Sequence, residues 1–238
     1  LVFGRTSRMT GCVTDARSML RMAARMMDNS LYAREEELRQ GFFTLRDGCR
    51  VGVAGRYAVR DGRAAEMVQI VAMCVRIARE APGCAKGIAA HSIPEEGWPR
   101  GTLLLSGPGV GKTTCLRDLV RTASERGWHV GLVDERGELA AVSGGVPTMD
   151  VGPRTDVMDG CPKALAIGRL VRSMSPDVIA VDELGGRGDA DAVMDAMRCG
   201  AAVFATAHAG SFEQAERRAC TGRLMRSGAF PVQALLEC

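Results

Sequence analysis

The spacing of apolar positions changes several times along the chain, and each change predicts an element. Between residues 15 and 28, Met19, Met22, Ala23, Met26 and Met27 recur at helical intervals, the stripe of an amphipathic helix that faces a core. A second helix is expected from Ser30, a good N-cap, through the charged run Arg34-Glu35-Glu36-Glu37 to Gly41, a typical stop. From Gly41 the period shortens. Phe42-Phe43-Thr44-Leu45, Asp47-Gly48, the run 49–60 and Asp61-Gly62 read as strands joined by tight turns, a small antiparallel meander. Residues 68–79, apolar and β-branched, predict one more strand, although Arg79 would equally suit the cap of a short helix.

Residues 82–101 shift to Pro, Gly and small side chains, and Pro94-Glu95-Glu96-Gly97-Trp98-Pro99 breaks both periodicities. This predicts an N-terminal α+β domain at 1–90, a linker at 91–101 and a second domain at 102–238. In the second domain strand-like runs alternate with helical stripes. Leu103-Leu104-Leu105, 129–133, 178–181 and 202–205 are the strands. The stripes are Leu116, Leu119, Val120 and Ala123, then Ile167, Leu170, Val171 and Met174, then Ala190, Val193, Met194 and Met197. Such alternation predicts an α/β fold with a parallel sheet covered by helices.

Composition narrows the classes. Hydrophobic residues at 46% and charged residues at 25% are ordinary globular usage, and aromatics at 4% leave little on which nucleic-acid bases could stack. A net charge of +3, from 31 basic against 28 acidic side chains, does not call for a polyanionic partner. Nine cysteines include no C-x-x-C pair, so reduced thiols are expected rather than a zinc site. No apolar run approaches the roughly 18 residues of a membrane-spanning helix, and no secretory leader is recognisable, so a soluble chain is expected. It opens on Leu1, so native residues are expected upstream.

The sharpest chemical signal is Ser106-Gly107-Pro108-Gly109-Val110-Gly111-Lys112-Thr113-Thr114, placed after a predicted strand and opening a predicted helix. Glycines let backbone N–H groups turn inward around phosphate oxygens, and the helix N-terminus adds positive potential. Lys112 would reach the β- and γ-phosphates, and Thr113 would ligate Mg²⁺. Ser106 stands where the strict pattern has Gly. Lys112 is also one of only three lysines in an arginine-dominated chain.

Three further segments end predicted strands in polar residues. Val178-Ile179-Ala180-Val181-Asp182-Glu183 would deliver Asp182 to Mg²⁺ and Glu183 to the attacking water, the alternative being an acidic helix cap. Asp134 or Glu135, after Gly131-Leu132-Val133, would touch Mg²⁺-bound water or order an arginine, the alternative being a surface salt bridge to Arg136. Thr206 is a candidate γ-phosphate sensor, and His208 a candidate link from phosphate to a neighbouring subunit. Arg154, Arg169 and Arg172 are candidates for stabilising transition-state charge, in cis or from a neighbour, each equally readable as a plain salt bridge.

These segments, with Asp150-Val151-Gly152-Pro153-Arg154 and the run through Lys163, resemble the stage III sporulation AA family, sporulation ATPases similar to type II and type IV secretion ATPases. Similarity extends upstream to Asn29-Ser30-Leu31-Tyr32, Glu36-Glu37-Leu38-Arg39-Gln40-Gly41 and Val51-Gly52-Val53-Ala54-Gly55-Arg56. The resemblance implies a RecA-like P-loop ATPase domain using ATP and Mg²⁺, assembled as a homo-oligomeric ring, a hexamer. It implies a cytoplasmic, mother-cell location, peripheral to the membrane through partner proteins, where the ring would power or gate a channel of other stage III sporulation proteins. No direct nucleic-acid partner is implied. By the same resemblance Asp134-Glu135 takes the place of the acidic box, Asp182-Glu183 of Walker B and His208 of the histidine box. Arg56 or Arg76 would contact nucleotide in trans.

Two rivals share the core. A recombinase-like DNA-dependent ATPase would show DNA-stimulated turnover, and a nucleotide-gated structural ring would assemble on ATP without turnover. A GTPase is disfavoured, because its guanine-reading N-K-x-D motif needs an Asn and Asn29 is the only one present. A small-molecule kinase is disfavoured because Glu183 beside Asp182 suits activation of water.

Overall fold

The computed structural model describes residues 2–3, 6–7, 11–27, 38–39, 41–45, 49–60, 63–77, 80–186 and 188–237. The chain divides into two compact units, residues 1–45 with 49–78, and 46–48 with 79–238. The division falls at Ala78/Arg79, upstream of the 91–101 segment that composition marks as a linker.

In the first unit β1 (Val2–Phe3) and β2 (Thr6–Ser7) form a short antiparallel pair. Asp15 caps α1 (Ala16–Met26) by accepting from the Ser18 N–H at 2.6 Å. β3 (Phe42–Thr44), β4 (Arg50–Arg60) and β5 (Arg63–Arg76) make the expected antiparallel meander in that order. Ala23 and Met27 are buried with Phe43, Val51 and Ile70, while Met19 and Met26 pack at the margin. Met22, one residue off this i, i+4 line, is 39% exposed, so the methionine stripe is core-facing along one edge only. Arg56 and Arg76 lie on β4 and β5 and are exposed. Of the helix expected from Ser30 to Gly41, Leu38 and Arg39 are described and helical and the rest up to Gln40 lies outside the described residues, as do the turns at Asp47-Gly48 and Asp61-Gly62 and Arg79.

The first helix of the second unit is α2 (Lys86–Ser92), inside the Pro- and Gly-rich stretch 82–101 and across the expected boundary between the 1–90 domain and the 91–101 linker. Its small residues hide a real stripe: Ala85, Ala89 and Ile93, four apart, are buried beside Leu104, Leu116 and Phe204. Then follow β6 (Thr102–Ser106), α3 (Lys112–Glu125), β7 (Val130–Asp134), the hairpin β8 (Val142–Ser143) and β9 (Val146–Pro147), and β10 (Thr155–Asp159). The chain continues through α4 (Lys163–Met174), β11 (Val178–Val181), α5 (Asp189–Arg198), β12 (Ala202–His208), α6 (Phe212–Arg217), α7 (Ala219–Arg226) and β13 (Val232–Leu235).

The central sheet has six strands in the order β10-β7-β11-β12-β6-β13, every pair parallel. Its inner strands β6, β7 and β11 are buried at every position, as a sheet covered on both faces requires. One face packs Leu103, Leu105, Ile179, Val181 and Val203 against α4 and α5, and the other packs Leu104, Leu132 and Phe204 against α2 and α3. Each large side chain buried this way contributes roughly 1.5–3 kcal/mol.

Candidate functional site

Because all the strands run one way, everything that follows a strand emerges at the same carboxyl edge. Here β12 lies between β6, which leads into the glycine loop, and β11, which leads into the acidic pair. Val181 pairs with Ala205, so Asp182 and Thr206 come next in step, and His208 pairs with Ser106 at the mouth of the loop. Register alone therefore brings together residues from three separate segments.

The loop turns on glycines in the left-handed region, Gly109 at φ 77° and Gly111 at φ 110°, a conformation costly for any other residue. A Cβ added at Gly107, Gly109 or Gly111 would meet nothing within 4 Å, so the loop is an open cradle of backbone. Lys112 is only 5% exposed, and its Nζ donates to the carbonyls of Ser106 (3.2 Å) and Gly107 (2.9 Å) and to Ser106 Oγ (3.1 Å). Ser106 thus gives a hydroxyl ligand to the ammonium at the position where the strict motif has Gly. Burial pushes the Lys112 pKa down, against the opposing pull of Asp182 and Glu183.

Thr113 Oγ1 donates to Asp182 Oδ2 at 2.7 Å, joining the first turn of α3 to the end of β11. The other oxygen, Oδ1, accepts from Thr206 Oγ1 and from the Glu183 N–H (3.1 Å), and that same N–H reaches Thr206 Oγ1 at 2.8 Å. Thr206 is fully buried and braces the acidic pair, so it is a scaffold rather than a phosphate sensor. Glu183 has φ 54°, strained for a residue with a side chain, and the Leu184 N–H bonded to the Thr206 carbonyl (2.8 Å) holds it there. Its Oε1 lies 3.0 Å from His208 Nε2, and its Oε2 accepts from Arg136. Burial pushes the Glu183 carboxyl up, but the His208 hydrogen bond and the charges of Arg136, His208 and Lys163 outweigh it and hold the pKa low.

Glu135 lines the same cleft as Asp182 and Glu183 but is paired with Lys163 at the start of α4. Asp134 is 2% exposed and accepts from the backbone N–H groups of Glu138, Leu139, Ala140 and Ala141. It caps a loop instead of facing a metal. Arg117 clamps the same loop by donating to the Leu139 and Glu138 carbonyls, both at 2.6 Å.

Ser106, Gly107, Pro108, Gly109, Val110, Gly111, Lys112, Thr113, Asp182, Glu183, Glu135 and His208 thus share one edge; Thr114 follows on α3, its carbonyl 3.8 Å from the Cys84 thiol. Two expected residues do not join them. Arg154 immediately precedes β10, and its carbonyl accepts from the Val130 N–H at the amino edge of the sheet, a strand length of roughly 15 Å away. Arg172 lies in the last turn of α4, bonded to the Gly168 carbonyl (2.9 Å) and about 13 Å along the axis from Lys163. Any part they take in the chemistry of this cleft cannot be within the same subunit. Arg136 and Lys163 are the site residues that sequence reasoning left in the background; the rarity of lysine was a usable signal for Lys163.

Among the described residues no group of three or more His, Cys, Asp or Glu side chains is placed to hold a metal. No helix described is long and apolar enough to cross a membrane.

Solved structures of similar shape include the ATPase DotB of Yersinia pseudotuberculosis, with a TM-score of 0.55 at 15% identity over 86% of this chain and 57% of that one. The pilus retraction motor PilT with bound ADP gives 0.51 at 18% identity, over 76% and 52%. This chain spans little more than half of either, and at these identities the likeness is one of fold, RecA-like with a parallel sheet. Stage III sporulation protein AA of Bacillus subtilis (strain 168) is 38% identical over 225 residues, 92% of this chain and 72% of that protein. The family model described as sporulation stage III, protein AA matches residues 6–238, nearly the whole chain, so the protein belongs to the stage III sporulation protein AA family.

Proposed function

We propose that this chain binds ATP with Mg²⁺ and hydrolyses it as one subunit of a homo-oligomeric ring, a hexamer, that powers or gates a channel of membrane proteins during sporulation. The observation that carries the reading is the 2.7 Å contact of Thr113 with Asp182, beside Lys112 and Glu183, at the open end of a glycine cradle. A hydroxyl and one carboxylate fit Mg²⁺, which prefers oxygen and takes its remaining ligands from water and phosphate. When bound, the ion neutralises phosphate charge.

The chain's own residues divide the remaining work. Loop N–H groups and the start of α3 bind phosphate oxygens, and Lys112 places its charge beside them. Glu183, held by its strained backbone, accepts a proton from the attacking water. His208 and Glu135 support the acidic edge. Arg154 and Arg172, on surfaces away from this cleft, are proposed for a neighbour's nucleotide, together with Arg56 or Arg76. Recruitment through partner proteins would keep the ring peripheral to the membrane on the mother-cell side.

Light scattering after size exclusion, with and without a slowly hydrolysed ATP analogue and with turnover measured in parallel, tests the whole reading. Lys112→Ala should abolish nucleotide binding. Glu183→Gln should keep binding and lose turnover by about 10²-fold or more, the scale of a lost general base. Assembly on ATP with no turnover would favour a structural ring, and stimulation by DNA would favour the recombinase-like motor.

A further inference from the structure

Both oxygens of the proposed base are already bonded. Glu183 Oε1 faces His208 Nε2 at 3.0 Å, and Oε2 accepts from the Arg136 guanidinium. A carboxylate oxygen that already accepts from a guanidinium has less room to accept from a water. The two partners differ in what they can do. His208 sits on β12 in register with Ser106 and contacts Lys112, so it is fixed by the sheet. Arg136 stands on the turn after β7, next to Gly137 at φ 66°, and its side chain is 54% exposed against 27% for Glu183. Lys163, which lines the same cleft, is occupied by Glu135.

Glu183 is the better anchored partner: its N–H and that of Leu184 are tied to Thr206, its Oε1 lies 3.0 Å from His208 Nε2, and its side chain is the less exposed of the two. The exposed arginine on the turn is the movable member of the pair. We infer that Arg136 is a latch on Glu183, a positioning residue that holds the base as an ion pair and keeps the basal rate low until the pair opens. The inference rests on the ATPase reading above and adds to it a restraint located within the single chain. The pair opens by exchange: Arg136 takes another anion as partner, and Glu183 is left with His208 and room for water.

The test is steady-state ATP hydrolysis by the full chain for the parent, Arg136→Ala, Arg136→Lys, Glu183→Gln and the Arg136→Ala/Glu183→Gln double variant, with binding of a fluorescent ATP analogue measured on each. Arg136→Ala should raise kcat by about two- to fivefold, the worth of one partly exposed ion pair, with KM nearly unchanged. Arg136→Lys, which keeps the charge, should restore the slow rate, which a merely structural role would not do. The double variant should fall to the Glu183→Gln level. A parent that turns over ATP while Arg136→Ala is equal or slower, with binding intact, overturns the latch alone. Binding without turnover in both parent and Arg136→Ala overturns the hydrolytic reading and the latch with it.

Discussion

His208 Nδ1 lies 3.1 Å from Lys112 Nζ. With its ring proton on Nε2, His208 accepts from Lys112 at Nδ1 and donates to Glu183 Oε1, 3.0 Å away. The ring thus lies between Lys112 and Glu183, within hydrogen-bond reach of both. His208→Ala should remove this tie without emptying the core, since His208 is half-exposed, and should lower turnover by about 10–100-fold while nucleotide still binds. His208→Gln, able to accept at one atom and donate at another, should recover part of the loss. Equal turnover in His208→Ala and the parent would remove the histidine from the mechanism.

Thr113 and Asp182 make a narrower claim. Their contact leaves the folded chain's core untouched, so Thr113→Ala should preserve the melting temperature yet raise the Mg²⁺ concentration needed for half-maximal turnover by about tenfold. A Mg²⁺ titration at saturating ATP reads this directly. An unchanged midpoint would place the ion elsewhere.

Much of this site was legible in the sequence because each part carries its own local signal: glycines before Lys112, and an apolar strand before Asp182. Their meeting was legible too, since parallel strands share one carboxyl edge. The edge on which Arg154 lies is hidden in the sequence for a definite reason. β10 has the sequence Thr-Asp-Val-Met-Asp and lies at the sheet edge with no fully buried position, so no apolar run announces it. Without that strand nothing reveals that Arg154 precedes one and belongs to the opposite edge. Thr206 falls on its expected strand, but its bonds to Asp182 and Glu183 are not legible, because sequence cannot say that Asp182 lies in step with it across β11 and β12. α2 and β13 were missed for want of length and of large apolar residues.

Asp134 contrasts with Asp182. Although it ends β7 beside the cleft, both its oxygens are spent on the N–H groups of residues 138–141, where Ala141 is held at φ 48°. Asp134→Ala would leave buried donors without an acceptor, at a cost of about 1–3 kcal/mol in unfolding free energy. Limited proteolysis should show the loop cut faster, and the Mg²⁺ midpoint should stay where it is. A shifted midpoint with unchanged stability would return Asp134 to the metal.

Asp118 gives the clearest pH dependence, and it lies away from the metal ligands. Burial pushes its carboxyl up, but the Ala85 N–H at 2.8 Å, the Arg121 guanidinium at 2.7 Å and the Gly83 N–H at 3.0 Å outweigh it and hold the pKa below 3.8. The folded pKa is therefore lower than the unfolded one. The stabilisation is fully present above the unfolded value and is lost as pH falls through the folded one. Asp118→Asn should lower unfolding free energy by about 1–3 kcal/mol at neutral pH, because an amide can accept in fewer places and must turn its donor toward one of the two backbone N–H groups. Denaturant curves for parent and variant should converge as pH drops below about 4. A gap that stays constant down to the acid limb would mean that Asp118 contributes through packing and not through its charge.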